Sequence, residues 1–337
     1  MNQQPAVCAT KKSRNPLSVW DLPASLLTQV HKFRKRKPKE GRERTHQAAV
    51  LAFIFRNRFA TASQVQRRFT KYLPSDRTAR RHLAEMQESL GYLDLVPCPS
   101  PLWPKIYCLS HRGMRKLKQA FQDKMQSWEP SANDRRRSVF SIYHVVHEIF
   151  TTEYLLSVHD AAQDTANIEL LTIQRRSLAR NPAFCLPCRC SGRIIPDALH
   201  LLRVGDRGLI CTLVETDTGS MPLKAVTEKL RRYATWADSE RGKSFLTNLY
   251  RQHGAANPQL RFRIAMICGG SNRTAGEKRL NSLAEIVDSF PPMIRNSIWG
   301  VTTTAIRDGT NILTDNIWRR IGQRGTTSDA THAFLVA

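Results

Sequence analysis

Residues 194–220 read IIPDALHLLRVGDRGLICTLVETDTGS, two apolar runs about a Gly-containing turn with acids at their outer ends. Val, Ile and Leu on both sides of VGDRG predict a β-hairpin. With the turn centred on Asp206, the symmetric register pairs Arg203 with Leu209, Leu201 with Cys211, Leu199 with Leu213, and Asp197 with Glu215. Two carboxylates then face each other. Opposed like charges destabilise a sheet by up to about 1 kcal/mol, and by more where they are partly buried. Such a pair implies a shifted register, a shared proton or a cation held between the acids. Asp217 has the parity of Glu215 and would extend the same acidic face.

Hard divalent ions select carboxylate oxygens, so Mg²⁺ or Mn²⁺ is the natural cofactor for a site with Asp197 and Glu215 as metal ligands. An ion there would polarise a phosphodiester oxygen and activate a water. The plain alternative is that these are strand-end acids meeting solvent. The following segment, PLKAVTEKLRRYATWAD, has an apolar stripe at Leu223, Val226, Leu230, Tyr233 and Ala237, which predicts a helix. Lys229 flanks that stripe, four residues before Tyr233. A lysine beside paired carboxylates can orient a water or neutralise developing charge. Lys224 is the other option, but Glu228 four residues on gives it an ordinary surface partner.

Around the hairpin, the order from Val139 is helix, three strands, helix, a further helix candidate, strand, helix, strand. That order predicts a mixed α/β sheet covered on both faces.

The segment from His46 to about residue 125 follows a different pattern. HQAAVLAFIFRNR has helical apolar spacing, TASQVQRRF begins with Thr61 as its expected cap, and SDRTARRHLAEMQESLG runs from a Ser75 or Asp76 cap to a terminating Gly91. Two short strands, YLDLVP and PKIYCLS, and the helix SHRGMRKLKQAF complete the unit. This order predicts a winged helix-turn-helix whose third helix is the recognition helix. Arg77, Thr78, Arg80 and Arg81 are then the side chains within reach of bases or phosphates. Arg112, Arg115, Lys116 and Lys118 could add backbone contacts. The plain alternative is a solvated surface helix.

Charge supports the DNA reading. The 337 residues hold 52 basic and 28 acidic side chains, a formal net charge of +24. Residues 1–137 contribute 28 basic against 10 acidic, and the remainder 24 against 18. The asymmetry points to a polyanionic partner for the N-terminal part. The expected division is a basic arm at 1–45, a winged helix at 46–125, a linker at 126–138, an α/β domain at 139–310 and a tail at 311–337. No apolar run approaches the roughly 18 residues that span a bilayer, and the first residues lack a signal-peptide core, so a cytoplasmic protein with no membrane partner is expected. CLPCRC offers Cys185, Cys188 and Cys190, but no second ligand pair follows, so zinc is not expected.

The winged helix, followed in order by HE (His147, Glu148), PDA (Pro196, Asp197, Ala198), ETDTG (Glu215 to Gly219) and KLRRY (Lys229 to Tyr233), resembles the replication-relaxation family of plasmids and integrative elements. The resemblance covers roughly residues 46–305. It implies a mobile-element protein that binds double-stranded DNA and acts in plasmid replication or in relaxation at an origin, with a second copy of the chain or other replication and transfer proteins as further candidate partners. The C-terminal order also resembles the PD-(D/E)xK nuclease core, a restriction-endonuclease-like fold. That resemblance implies Asp197 and Glu215 as catalytic metal ligands and Glu148, the acid of the first helix, as a further metal ligand beside Asp197. Asp217 stands where the nuclease lysine belongs, which leaves Lys229 as its candidate substitute. Two functions follow, a metal-dependent DNA nickase and a non-catalytic replication or transcription regulator with a degenerate nuclease-like domain. No H-x-H motif of conventional relaxases occurs, which leaves Tyr233 and Tyr250 as weak nucleophile candidates.

Overall fold

The computed structural model describes residues 45–97, 103–121, 141–175, 182–184, 186, 193–205, 208–255, 262–269, 273–308, 311–321 and 332–335. The expected arm up to residue 44, the linker at 126–138, and Cys185, Cys188 and Cys190 lie outside them.

The N-terminal unit runs α1 (Thr45–Asn57), β1 (Ala60–Thr61), α2 (Ala62–Arg68), α3 (Asp76–Ala84), β2 (Leu93–Leu95), β3 (Ile106–Leu109) and α4 (His111–Ala120). Its strands form an antiparallel sheet in the order β1-β3-β2. Thr61 caps α2 as its sequence predicts. Its hydroxyl accepts from the Gln64 amide at 3.3 Å, while the Gln64 side chain accepts from the Thr61 amide at 3.2 Å, a reciprocal capping box. Ser75 caps α3 by accepting from the Thr78 amide at 3.2 Å. Past Ala84 the helix continues as a π-helical turn, Glu85–Ser89. Gly91, at φ +62°, then ends it in the left-handed conformation that glycine adopts most readily. Val50, Ile54, Val65, Phe69, Ala79, Leu83 and Met86 are buried together beneath these elements.

The long helix α5 (Ile142–Asp164) is followed by β4 (Ile168–Gln174), β5 (Ala198–Val204), β6 (Leu209–Asp217), α6 (Leu223–Asp238) and α7 (Glu240–Gln252). Next come β7 (Phe262–Cys268), α8 (Arg273–Val287), α9 (Pro292–Arg295), β8 (Ile298–Thr302), α10 (Thr303–Asp308), β9 (Asn316–Arg320) and β10 (His332–Ala333). The strands form one mixed sheet, ordered β10-β9-β8-β7-β6-β5-β4, in which β6, β7 and β8 run parallel and the other neighbours antiparallel. The hairpin register is the symmetric one: Leu199 faces Leu213, Leu201 faces Cys211 and Arg203 faces Leu209.

Side-chain alternation divides the sheet into two buried faces. Leu199, Leu201, Leu213 and Met266 pack beneath Val226, Leu230 and Tyr233 of α6. Val214, Ala265, Trp299 and Val301 lie on the other face with Tyr154 and Leu155 of α5. The sheet does not stop at residue 310, where the tail was expected to begin. Trp318 of β9 and the following Phe334 are both fully buried, with ring centroids 4.4 Å apart. Burial of these two aromatics beside Trp299 supplies the order that their sparse apolar pattern concealed.

The N-terminal unit packs against α5, and its core is continuous with that face of the sheet. Arg67 of α2 grips Asp160 with Nε at 3.1 Å and Nη2 at 2.7 Å, and also pairs with Glu153. Gln64 Nε2 donates to the Ile149 carbonyl at 3.0 Å. Arg58, directly after α1, adopts φ +62°, a conformation that costs a non-glycine residue about 1 kcal/mol or more. Its guanidinium lies 2.9 Å from His144 Nε2 and 3.5 Å from Glu148 Oε1.

Because Trp318 anchors the late strands, Trp318→Ala is expected to destabilise the protein by about 3–5 kcal/mol. Urea denaturation measures this; a loss below about 1 kcal/mol would show that β9 is a dispensable tail.

Candidate functional site

The fold brings acids from two strand ends and two side chains of α6 to the carboxyl end of β6. Glu215 and Asp217 share the α6 face of that strand. Asp197 sits just before β5, held in register by its amide, which donates to the Val214 carbonyl at 2.9 Å. Lys229 comes from the second turn of α6, and its ammonium pairs with Glu215 Oε2. Tyr233, one turn later, donates its hydroxyl to Glu215 Oε1. Asp197, Glu215 and Lys229 are thus brought to one place. Tyr233 and Tyr250 are buried and engaged: Tyr250 OH accepts from the Cys211 amide at 3.1 Å.

His147 is the residue that sequence reasoning missed. It belongs to the quoted HE pair, yet Glu148, rather than His147, was expected beside Asp197. The structure reverses the two. His147 Nε2 lies 2.9 Å from Asp197 Oδ2, which also accepts from the Thr216 amide at 2.8 Å. One turn on, Thr151 bonds Thr216 at 2.8 Å, which fixes the same face of α5 on β6. Glu148 points towards the N-terminal unit instead. Its Oε2 accepts from Arg175 Nη2 at 2.6 Å and its Oε1 from Arg58 at 3.5 Å, while Arg175 Nη1 reaches Asn57 Oδ1 at 2.7 Å. The helical offset of about 100° per residue explains the exchange: adjacent residues cannot face one partner. Asp217 is likewise removed from the pair, since Arg279 Nε of α8 donates to its Oδ2 at 2.6 Å.

Charge distribution at the centre is uneven. Burial pushes the Glu215 carboxyl up to about 7, with Asp197 adding to the rise against the pull of Lys229. Burial also opposes the Asp197 carboxylate. There the His147 hydrogen bond, the charges of Lys229 and His147 and the Thr216 amide outweigh it and hold the group at about 2. His147 is carried above its ordinary value because the bond and charge of Asp197 overcome desolvation. Lys229 is raised in the same way by Glu215 and Asp197.

These donors bear directly on a metal. Both Glu215 oxygens and Oδ2 of Asp197 already accept from protein groups, and Glu148 is turned away. Among the described residues no three His, Cys, Asp or Glu side chains converge to hold an ion. The adjoining cavity, lined by Glu215, Asp217, Met221 and Lys229, has a volume of only ≈ 10 Å³. As arranged, the residues do not fit Mg²⁺ or Mn²⁺. The cation that the opposed acids require is Lys229, assisted by His147.

The predicted DNA-facing residues lie elsewhere, on α3. Arg77, Arg80 and Arg81 are exposed along one side of that helix, opposite buried Ala79 and Leu83. Arg80 pairs with Asp76 one turn back. Thr78 is partly committed to the cap, its hydroxyl 2.9 Å from Ser75 Oγ.

Two outcomes are expected from these contacts. Arg175→Ala leaves the Glu148 carboxylate poorly compensated and should cost about 3–5 kcal/mol, read by chemical denaturation. The His147–Asp197 pair contributes stability with two limits. The His147 part is complete below pH 6.5 and is lost as pH rises through its raised value; the Asp197 part is present above 3.8 and is lost as pH falls through about 2. In Asp197→Asn, NMR titration should find His147 lowered rather than raised, since burial then acts without its acid. An unchanged titration would refute the pairing.

No curated protein matches the chain, and no solved structure matches it. No helix among the described residues is long and apolar enough to cross a membrane. A family model described as replication-relaxation matches residues 51–249, from within α1 to within α7 and more than half of the chain. Together with the helical unit docked on a mixed α/β sheet, that match establishes that the chain belongs to the replication-relaxation family.

Proposed function

We propose that the protein binds double-stranded DNA through a winged helix-turn-helix at residues 46–125 and acts in the replication or relaxation of a plasmid or other mobile element. The observation that carries this reading is the exposed arginine side of α3, the third helix of a capped tri-helical unit followed by a β-hairpin. That unit lies in the part of the chain holding most of the excess positive charge. Arg77 and Arg81 are one helical turn apart, a spacing suited to base edges or phosphates along a major groove. Arg112, Arg115 and Lys118 are exposed on α4 and supply further phosphate contacts.

In this reading residues 139–310, extended by β9 and β10, form a second domain that holds the DNA-binding unit in a fixed attitude. Arg77→Ala with Arg81→Ala should weaken duplex binding at least about tenfold and flatten the salt dependence by roughly 0.9 logarithmic units per lost phosphate contact. Fluorescence anisotropy at several salt concentrations reads both quantities. Unchanged affinity would remove α3 as the recognition helix.

Phosphodiester cleavage is the second reading. It is supported by the meeting of Asp197, Glu215 and Lys229 from three separate elements. It requires Glu215 to be released from Lys229 and Tyr233 before any divalent ion can bind. A supercoiled-plasmid assay with Mg²⁺ or Mn²⁺ separates the readings. Relaxation by wild type that is lost in both Asp197→Ala and Glu215→Ala supports cleavage there. DNA binding without relaxation leaves the centre a structural one.

A further inference from the structure

A groove of ≈ 640 Å³ opens between α3 and the β2–β3 hairpin, lined by Asp76, Arg80, Arg81, Trp103, Lys105 and Tyr107 among others. Its size lies within the roughly 300–1,000 Å³ of sites that enclose a small ligand or a single residue of a polymer. The lining combines three cations and one acid with aromatic surface. Trp103 is 38% exposed, one of the few large apolar side chains left at the surface among the described residues. Tyr107, also in the lining, is buried. The cations answer a phosphate, but phosphate does not account for an exposed indole. A duplex presents its bases edge-on and stacked, so only an unpaired base could lay its π-face on Trp103 while its phosphates meet Arg80, Arg81 and Lys105.

We propose that this groove accepts an unpaired nucleotide, so that the protein favours locally opened DNA over intact duplex. The proposal rests on the DNA-binding reading of the N-terminal unit and adds a second mode of contact to it. Trp103 supplies the stacking surface, and the basic side chains hold the flanking backbone. Asp76, already paired with Arg80, keeps that guanidinium at the rim.

Anisotropy titrations of the full chain compare a duplex with the same duplex carrying a short central bubble of unpaired thymines. Wild type should bind the bubble at least about fivefold more tightly, the lower end of what one stacked base contributes. Trp103→Ala should abolish that preference while leaving duplex affinity within about twofold, and Trp103→Phe should restore most of it. Thermal melting of each variant checks the fold; Trp103 is too exposed for its removal to open the core. Equal binding of bubble and duplex by wild type would overturn the proposal, as would an equal loss on both DNAs in Trp103→Ala. Failure of the underlying DNA reading looks different: duplex binding would then be indifferent to Arg77→Ala with Arg81→Ala.

Discussion

A carboxylate buried at the end of a central strand constrains everything packed around it, and Glu215 is that carboxylate. An unpaired charge at such depth costs several kcal/mol, so donors must be built in. Lys229 and Tyr233 provide them from successive turns of one helix, which fixes the rotation of α6 on the sheet. Asp197 across the hairpin is another acid, and its partner His147 fixes α5 on the opposite side. The next residue of α5 is Glu148, which Arg58 and Arg175 bind. Orientation thus passes from the strand ends through α5 to the unit that carries the exposed arginines.

The attachment of that unit is made from charges as well as apolar contact. Arg67 spans Glu153 and Asp160, two turns apart on α5, but these groups are roughly a third exposed and solvent screens them. Arg175 and Glu148 are far more enclosed, so this pair carries more of the positional specificity. The left-handed backbone at Arg58 fits the same account. It turns the chain sharply out of α1, and the contacts with His144 and Glu148 help to hold the strained residue in place. With α2 used for docking, α3 remains outward.

Much of this arrangement was legible in the chain. The hairpin register followed from centring the turn on Asp206, because a hairpin's turn fixes the pairing of the strands it joins; alternation could not supply it, since β6 is buried along its whole length. The caps at Thr61 and Ser75, and Lys229 beside Tyr233, followed from helical spacing. The assignment of Glu148 failed because HE places two ligating side chains next to each other, and the sequence does not say which of them faces the sheet. Spacing could not have decided it: His147 is in line with buried Thr151 and Tyr154, but Glu148 is equally in line with buried Thr152 and Leu155. Arg279 and Arg175 could not be found this way, since their partners lie 62 and 27 residues distant and only the folded sheet brings them together.

Asp217 decides how charge is balanced around this centre. A lysine at that position would lie on the strand face beside Glu215 and leave the helices free to be neutral. With an acid there instead, β6 contributes two carboxylates and the residue before β5 a third, and the surrounding helices contribute the compensating groups: Lys229 from α6, Arg279 from α8 and His147 from α5. Charge balance is then reached within the protein. A divalent ion would have to displace a helix-borne cation that is itself part of the packing, and the displaced group would need a new partner. The same exchange that keeps Glu215 and Asp217 buried, with Asp197 half-buried beside them, therefore ties α5, α6 and α8 to the sheet.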